Sequence, residues 1–185
     1  MLKTGITMIT EEKKNIQFKP ETQTLIETII SRYPENKQKS AILPILHIAQ
    51  AEFGGWLSPE TMDLVADILR IQPIEVYEVA TFYTMFNLSP VGNCVIEVCR
   101  TGPCWMNGAE EIIAHLEKTL NIKVGETTAD GMFTLKTTEC LAACGNAPVM
   151  QVGDKYHEDL TIEKVDLFLD ESRRENRISH KNPYQ

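Results

Sequence analysis

The chain has 185 residues, of which 43% are hydrophobic, and its 26 acidic residues outnumber 18 basic ones to give a formal net charge of -8. This hydrophobic fraction is typical of one or two folded domains and excludes a disordered chain, while five cysteines are too few for a disulfide-rich mini-protein. Because no run rich in Lys or Arg offsets the negative charge, we expect no nucleic-acid partner.

Two amphipathic helices are predicted near the start of the chain. Pro20 occupies a favoured first helical position, and apolar residues follow it at spacings of three and four until Pro34 stops the helix. The second helix is predicted over about 37–53, with a kink or a late start at Pro44. A Gly-Gly pair ends it.

Two further helices complete a small helical module. Ser58-Pro59-Glu60 combines an N-cap, a favoured first residue and a first-turn acid, so it predicts the start of the third helix. Pro73 opens the fourth helix, whose apolar positions are predicted to be Val76, Val79, Ala80, Tyr83 and Phe86. This module offers more apolar surface than four short helices bury, so part of it, including Phe82, Tyr83, Met85 and Phe86, is predicted to be interface. The alternative is that all these residues belong to the core.

The second half of the chain predicts strands and helices in the order β-α-β-β-β-α. A short β-branched segment, 94–98, precedes a helix over 109–120 and a second strand over 132–137, which together form a βαβ unit. Gly153-Asp154 predicts a hairpin between 149–152 and 155–157, and Thr161 caps a last helix. This order is typical of a small mixed sheet with flanking helices.

The predicted fold class is therefore α+β or α/β, with a helical bundle followed by a sheet domain. We place a flexible tail over 1–18, a helical docking module over 19–90, the sheet domain over 91–170 and a second flexible tail over 171–185.

The cellular setting is predicted from what the sequence lacks. No apolar stretch approaches the roughly 20 residues of a membrane-spanning helix, so we expect no direct membrane insertion. Residues 1–10 contain no arginine and are followed at once by Glu11 and Glu12, which argues against a presequence. We expect a reducing cytosol, where cysteines are more often metal ligands or catalysts than disulfides.

Four of the five cysteines form two close pairs, Cys99-Arg-Thr-Gly-Pro-Cys104 and Cys140-Leu-Ala-Ala-Cys144, each directly after a predicted strand. If the two strands are parallel neighbours, both pairs lie at the same end of the sheet and four thiolates can meet there. Two short chelating loops suit a binuclear iron-sulfur cluster, in which each iron takes two protein sulfurs. The small and turn-forming residues within and beside these loops let backbone N–H groups approach the sulfurs.

Other uses of these cysteines stay open but are less favoured. Structural zinc sites usually have two intervening residues in each arm, whereas the pairs here have four and three. Two disulfides would match the even count, but not a reducing compartment. A thioredoxin-type dithiol needs two intervening residues. The fifth cysteine, Cys94, is predicted to be a buried, unreactive thiol.

The chain shows no nucleotide-binding or catalytic motif of its own. It contains neither G-x-G-x-x-G nor G-x-x-x-x-G-K-S/T, so we expect no nucleotide or flavin site on this chain alone. No Ser-His-Asp or Cys-His pairing indicates a catalytic residue.

Several longer motifs accompany the cysteine pairs across residues 20–168. They are Gly54-Gly55-Trp56-Leu57, Val79-Ala80-Thr81-Phe82-Tyr83-Thr84-Met85-Phe86, Gly125-Glu126-Thr127-Thr128 with Asp130-Gly131, and Asn146-Ala147-Pro148-Val149-Met150-Gln151. With these motifs, the sequence resembles the NuoE family, the thioredoxin-like 2Fe-2S subunit of bacterial NADH:quinone oxidoreductase (complex I). One departure is Ala142, where the family usually has glycine; alanine makes a left-handed backbone less expected at that position.

The resemblance implies a thioredoxin-like domain with one 2Fe-2S cluster held by Cys99, Cys104, Cys140 and Cys144, and it assigns no ligand role to Cys94. It implies an electron-transfer subunit that exchanges electrons with FMN on a NADH-binding, NuoF-like flavoprotein subunit. Within that complex the chain would lie at the cytoplasmic face of the bacterial inner membrane, beside other peripheral-arm subunits.

Two alternatives accompany this prediction. One is the equivalent diaphorase subunit of an NAD-linked hydrogenase or formate dehydrogenase, because related subunits serve those enzymes. The other is a free-standing ferredoxin or a zinc-stabilised adaptor, although a free carrier would need only the cysteine-bearing domain.

Overall fold

The computed structural model describes residues 16–184. The predicted N-terminal tail, 1–18, lies outside the described residues except for 16–18. Within that short stretch Phe18 is buried, and its ring centroid lies 5.0 Å from that of Phe53. The chain therefore packs against the helices before the first helix begins.

Four helices form the first half of the described chain, close to the predicted positions. A single turn of 3-10 helix, Gln38–Ala41, precedes the second of them, so the late start predicted near Pro44 comes two residues earlier, at Ile42. The helices are α1 Pro20–Ile30, α2 Ile42–Glu52, α3 Pro59–Leu69 and α4 Pro73–Phe82. Their inward faces share one buried apolar cluster.

Helix α4 is shorter than its apolar pattern predicts. Tyr83 has an extended backbone, so Tyr83 and Phe86 lie beyond the helix and their assignment to it was wrong. The physical reason is Gln50 on α2, whose side chain donates to the Met85 carbonyl at 3.1 Å and accepts from the Asn87 N–H at 2.7 Å. These bonds hold the chain in a turn that buries Phe86.

The second half forms a mixed sheet, as predicted. Its strands are β1 Cys94–Cys99, β2 Phe133–Thr138, β3 Met150–Val152 and β4 Lys155–His157, in the order β2-β1-β3-β4. Strand β1 pairs parallel with β2 and antiparallel with β3, and β3 pairs antiparallel with β4. The predicted β-α-β-β-β-α order is thus confirmed except for one additional short helix after β1.

Three helices accompany the sheet, and one of them was not predicted. The five-residue α5, Gly102–Met106, follows β1 at once and is too short to show a helical period. The others are α6 Ala109–Leu120 and α7 Ile162–Glu175, whose inward residues pack with β1, β2 and β3 in a second buried cluster. In the part of the chain from 16 to 184, no helix has the length and apolar character needed to cross a membrane.

The C-terminal segment runs back over the fold. Helix α7 continues to Glu175, beyond residue 170, where we placed the end of the sheet domain. Farther on, the Ser179 hydroxyl accepts from the Val95 N–H at 2.9 Å, and the Ser179 N–H donates to the Asn93 carbonyl at 2.8 Å. These bonds extend the amino end of β1 where β3 no longer pairs with it.

Candidate metal centre

The parallel pairing of β1 and β2 brings the two cysteine pairs to one end of the sheet. Cys99 is the last residue of β1 and lies in register with Thr138, the last residue of β2. Cys140 follows only two residues after the end of β2. The predicted parallel neighbours are confirmed, and with them the shared position of the two loops.

The first loop turns directly into α5. Thr101 is the N-cap residue, Pro103 lies in the first turn and Cys104 is buried within the helix. The Cys104 N–H donates to the Thr101 carbonyl at 3.0 Å, and the Thr101 hydroxyl lies 3.6 Å from Cys99 Sγ. The helix therefore turns Cys104 back toward the sheet end, where its buried thiol interacts with that of Cys99.

The second loop has a tight, left-handed turn. The Ala142 N–H donates to Cys140 Sγ at 3.3 Å, and Ala142 has a φ of +59°. The expectation that alanine disfavours a left-handed backbone at this position was therefore wrong. Leu141 is buried beside Cys99 and Cys104 and anchors the turn.

Backbone groups from both loops act on the Cys99 thiol. Burial raises the pKa of Cys99, but hydrogen bonds from the backbone of Thr101 and of Leu141, with help from side chains, outweigh that effect. The resulting pKa lies below the ordinary value for a thiol. The second loop thus stabilises a thiolate of the first loop.

The other thiols interact across the two loops. Burial raises the pKa of Cys104, and a hydrogen bond to Cys99 together with negative charge on Cys99 and Cys144 raises it further. Desolvation also raises the pKa of Cys144, and so do the adjacent Cys140 and the charge on Cys99. Because charges on one pair reach the other, the four thiols form one electrostatic group.

The donor set fits an iron-sulfur cluster. It consists of four thiols, a soft set that favours Fe-S clusters or zinc over Mg²⁺ or Ca²⁺. Backbone N–H groups beside Cys99 and Cys140 supply the hydrogen bonds that Fe-S thiolates accept. Among residues 16–184 there is no group of three or more His, Cys, Asp or Glu side chains arranged to hold a single metal ion.

Cys94 lies apart from this group. It begins β1, is fully buried among the residues that pack against α6 and α7, and has its pKa raised to about 11, mainly by burial. A thiol with that pKa stays protonated at neutral pH. The prediction that Cys94 is buried is confirmed.

The surface beside the thiols is partly apolar, which the sequence analysis did not identify. Trp105 and Met106 directly follow Cys104 on α5 and are 56% and 78% exposed. The Arg100 guanidinium and the Glu139 carboxylate form an exposed ion pair at 2.9 Å, beside the two loops. The position of Trp105 and Met106 next to a candidate ligand was the only sequence signal for this surface.

Comparison with known proteins gives a family match and close relatives. The model of the family described as thioredoxin-like [2Fe-2S] ferredoxin matches residues 26–173. A Rickettsia conorii protein named as a subunit of NADH-quinone oxidoreductase is 48% identical over 169 residues, which cover 91% of this chain and 97% of that protein. A Dictyostelium discoideum protein named NADH dehydrogenase [ubiquinone] flavoprotein 2, mitochondrial, is 44% identical over 86% of this chain and 65% of its own length.

One solved structure shares the fold. A chain of an NAD⁺-reducing [NiFe]-hydrogenase in its air-oxidized state matches 73% of this chain with a TM-score of 0.64. The match covers 23% of that longer chain at 19% sequence identity, so it shows a common fold alone.

Proposed function

The chain belongs to the thioredoxin-like [2Fe-2S] ferredoxin family, and we propose that it is the electron-transfer subunit of a respiratory NADH:quinone oxidoreductase. Its cofactor is a [2Fe-2S] cluster. The observation that carries the proposal is the position of two cysteine pairs at one end of paired parallel strands. Relatives named as subunits of NADH-quinone oxidoreductase align over nearly the whole chain, which favours the respiratory assembly over the hydrogenase or formate dehydrogenase alternative.

The proposed cluster ligands are Cys99, Cys104, Cys140 and Cys144. Support comes from the electrostatic coupling of the two pairs and from the backbone donors that face Cys99 and Cys140. When bound, such a cluster takes up and releases one electron at a time. The chain itself holds the thiolates in place, shields Cys99 and Cys104 by burial, and supplies N–H groups to the sulfurs.

A second subunit must handle NADH. NADH gives up two electrons as hydride, whereas this chain has one candidate one-electron centre and neither of the two phosphate-binding motifs. We therefore infer that a NuoF-like flavoprotein subunit binds FMN and NADH and exchanges electrons with this chain. As part of that complex, the chain would lie at the cytoplasmic face of the inner membrane.

The helical module offers a surface for that flavoprotein. Phe82 is 77% exposed, and Tyr83, Met85 and Leu88 are also exposed. The buried Asn87 of the same segment contacts Lys136 on β2. We name these four residues the α4 patch. Phe86, which was predicted as part of the interface, is buried and belongs to the helical core. Exposed apolar groups of this size are typical of protein interfaces.

The test is an anaerobic reconstitution with the flavoprotein subunit. We expect the isolated chain neither to bind NADH nor to be reduced by it, and the two-subunit assembly to reduce the cluster on addition of NADH, as followed by electron paramagnetic resonance. Reduction of the isolated chain by NADH would contradict the carrier role. Failure of the reconstituted pair to reduce the cluster would contradict the proposed partner.

A further inference from the structure

The backbone at Ala142 is strained. Among the described residues six non-glycine residues have a positive φ, and Ala142 is the one without a polar side chain. Asn and Asp tolerate this conformation because their side chains bond locally, whereas the Cβ of alanine lies too close to the following carbonyl oxygen. Something in the loop must therefore hold Ala142 at a φ of +59°.

The methyl group of Ala142 does not explain the strain. Ala142 is exposed and is absent from the buried clusters that its neighbours Leu141 and Ala143 join. Its side chain therefore contributes no packing that would favour a left-handed turn. Any benefit of the turn must come from where it directs the backbone.

The turn directs two consecutive N–H groups at sulfur. The Ala142 N–H donates to Cys140 Sγ at 3.3 Å, and the backbone of the preceding Leu141 bonds to Cys99. One thiol of each pair thus accepts a hydrogen bond from one of two adjacent backbone amides in the same turn. Such hydrogen bonds stabilise the more negative, reduced form of an iron-sulfur cluster and so raise its reduction potential.

We propose that Ala142 is a positioning residue, whose left-handed conformation aims these two amides at Cys99 and Cys140 and thereby sets the reduction potential and the retention of the cluster. The proposal rests on the proposed function, because it takes both thiolates as cluster ligands. It predicts that the backbone conformation at position 142 matters and that the size of its side chain does not.

The test compares two substitutions of similar size. Asn tolerates a left-handed backbone and the β-branched Val does not, so Ala142→Asn retains the wild-type potential while Ala142→Val shifts it to a more negative value. Ala142→Gly, which removes the strain, retains the potential as well. The potential is measured by redox titration with paramagnetic resonance detection, and retention by the rate of visible bleaching in the presence of an iron chelator.

A matched control lies outside the cysteine loops. Ala114 is exposed on α6, outside both cysteine loops, so the same substitution there, Ala114→Val, leaves potential and bleaching rate unchanged. Loss of the cluster from Ala142→Val with retention in Ala142→Asn also supports the proposal. Equal potentials and equal bleaching rates in the Val and Asn variants overturn it.

Failure of the proposed function has a different signature. If the wild-type chain binds zinc without sulfide, the assignment of the cluster to this chain's cysteines fails before any variant is compared. If the wild type holds a [2Fe-2S] cluster but the Gly variant shifts the potential as far as the Val variant does, only the role of Ala142 fails.

Discussion

Lys136 on β2 donates a hydrogen bond from Nζ to Asn87 Oδ1 across 2.7 Å, and this bond joins the sheet to the helical module. Asn87 is buried, and its other polar groups bond within the helical module. Its Nδ2 donates to the Gly55 carbonyl at 2.8 Å, and its main-chain carbonyl accepts from the Leu57 N–H at 2.8 Å. Glu97 on β1 lies 4.0 Å from the Lys136 ammonium. One amide side chain thus connects the two parts of the chain.

Replacing Asn87 should weaken this connection. Asn87→Ala leaves the half-buried Lys136 ammonium and the Gly55 carbonyl without their partner, and an unpaired buried polar group costs about 2 kcal/mol. We expect the free energy of unfolding to fall by about that amount in urea titrations. Gln23→Ala, which also removes a side-chain amide but at an exposed position of α1, is the control and should have little effect. An unchanged midpoint for Asn87→Ala would show that the bond does not couple the two parts.

Much of this fold could be predicted because its elements are periodic and carry local signals. Helix α6 begins and ends at the predicted residues, and the side chain of Ser58 accepts from the Thr61 N–H as its N-cap position requires. The two cysteine loops were also predicted, because parallel neighbours place their carboxyl ends together.

The parts that could not be predicted depend on tertiary contacts. Helix α5 is too short to show a helical period in its apolar residues. The end of α4 is set by Gln50, which lies more than thirty residues earlier in the chain. The left-handed turn at Ala142 contradicts the local preference of alanine. Each of these features follows from a partner distant in sequence or from a sulfur site that periodicity does not show.

The first chemical prediction concerns the metal content. Two chelating pairs suit a binuclear cluster, so the protein purified under anaerobic conditions should contain about two irons and two acid-labile sulfides per chain. Colorimetric iron and sulfide assays on the same sample measure both. Zinc in place of iron, with no sulfide, would contradict the assignment.

Serine substitutions test the ligand set one residue at a time. Replacing Cys99, Cys104, Cys140 or Cys144 by Ser should weaken or abolish the cluster, because an alkoxide is a harder and poorer ligand for iron than a thiolate. Cys94→Ser is the matched control, since Cys94 is buried on the other side of β1 and should leave the visible spectrum intact. A lost spectrum in Cys94→Ser, with a normal spectrum in one of the other four variants, would reverse the assignment.

Half-buried histidines make stability depend on pH. Burial lowers the pKa of His180 from 6.5. Its Nδ1 atom is buried and has no hydrogen-bond partner among residues 16–184. The ring lies close to Gly55, where an added Cβ would stand 2.6 Å from Nδ1. The folded protein therefore binds fewer protons than the unfolded chain just below pH 6.5, so stability falls as the pH drops through 6.5 toward the folded-state pKa.

We expect chemical denaturation to give a smaller free energy of unfolding at pH 5 than at pH 7, because burial also lowers the pKa of His47 and His157. His180→Gln cannot take up the proton, so the decrease with falling pH should be smaller in that variant. The same decrease in the variant and the wild type would show that His180 does not contribute.

The last prediction places the flavoprotein on the α4 patch. A charged side chain within an apolar interface loses its hydration without gaining a partner, so Phe82→Glu or Met85→Glu should weaken binding of the flavoprotein subunit by about tenfold or more. Both residues are exposed, and the sheet domain has its own buried clusters, so the cluster spectrum and the thermal midpoint should stay unchanged. Leu167→Glu is the matched control, because Leu167 is 57% exposed on α7, outside the patch. Affinity is measured by biolayer interferometry under anaerobic conditions.

Deletion of residues 1–88 should abolish binding while leaving the cluster spectrum largely intact, and normal binding by that truncated chain would contradict a docking role for the helices.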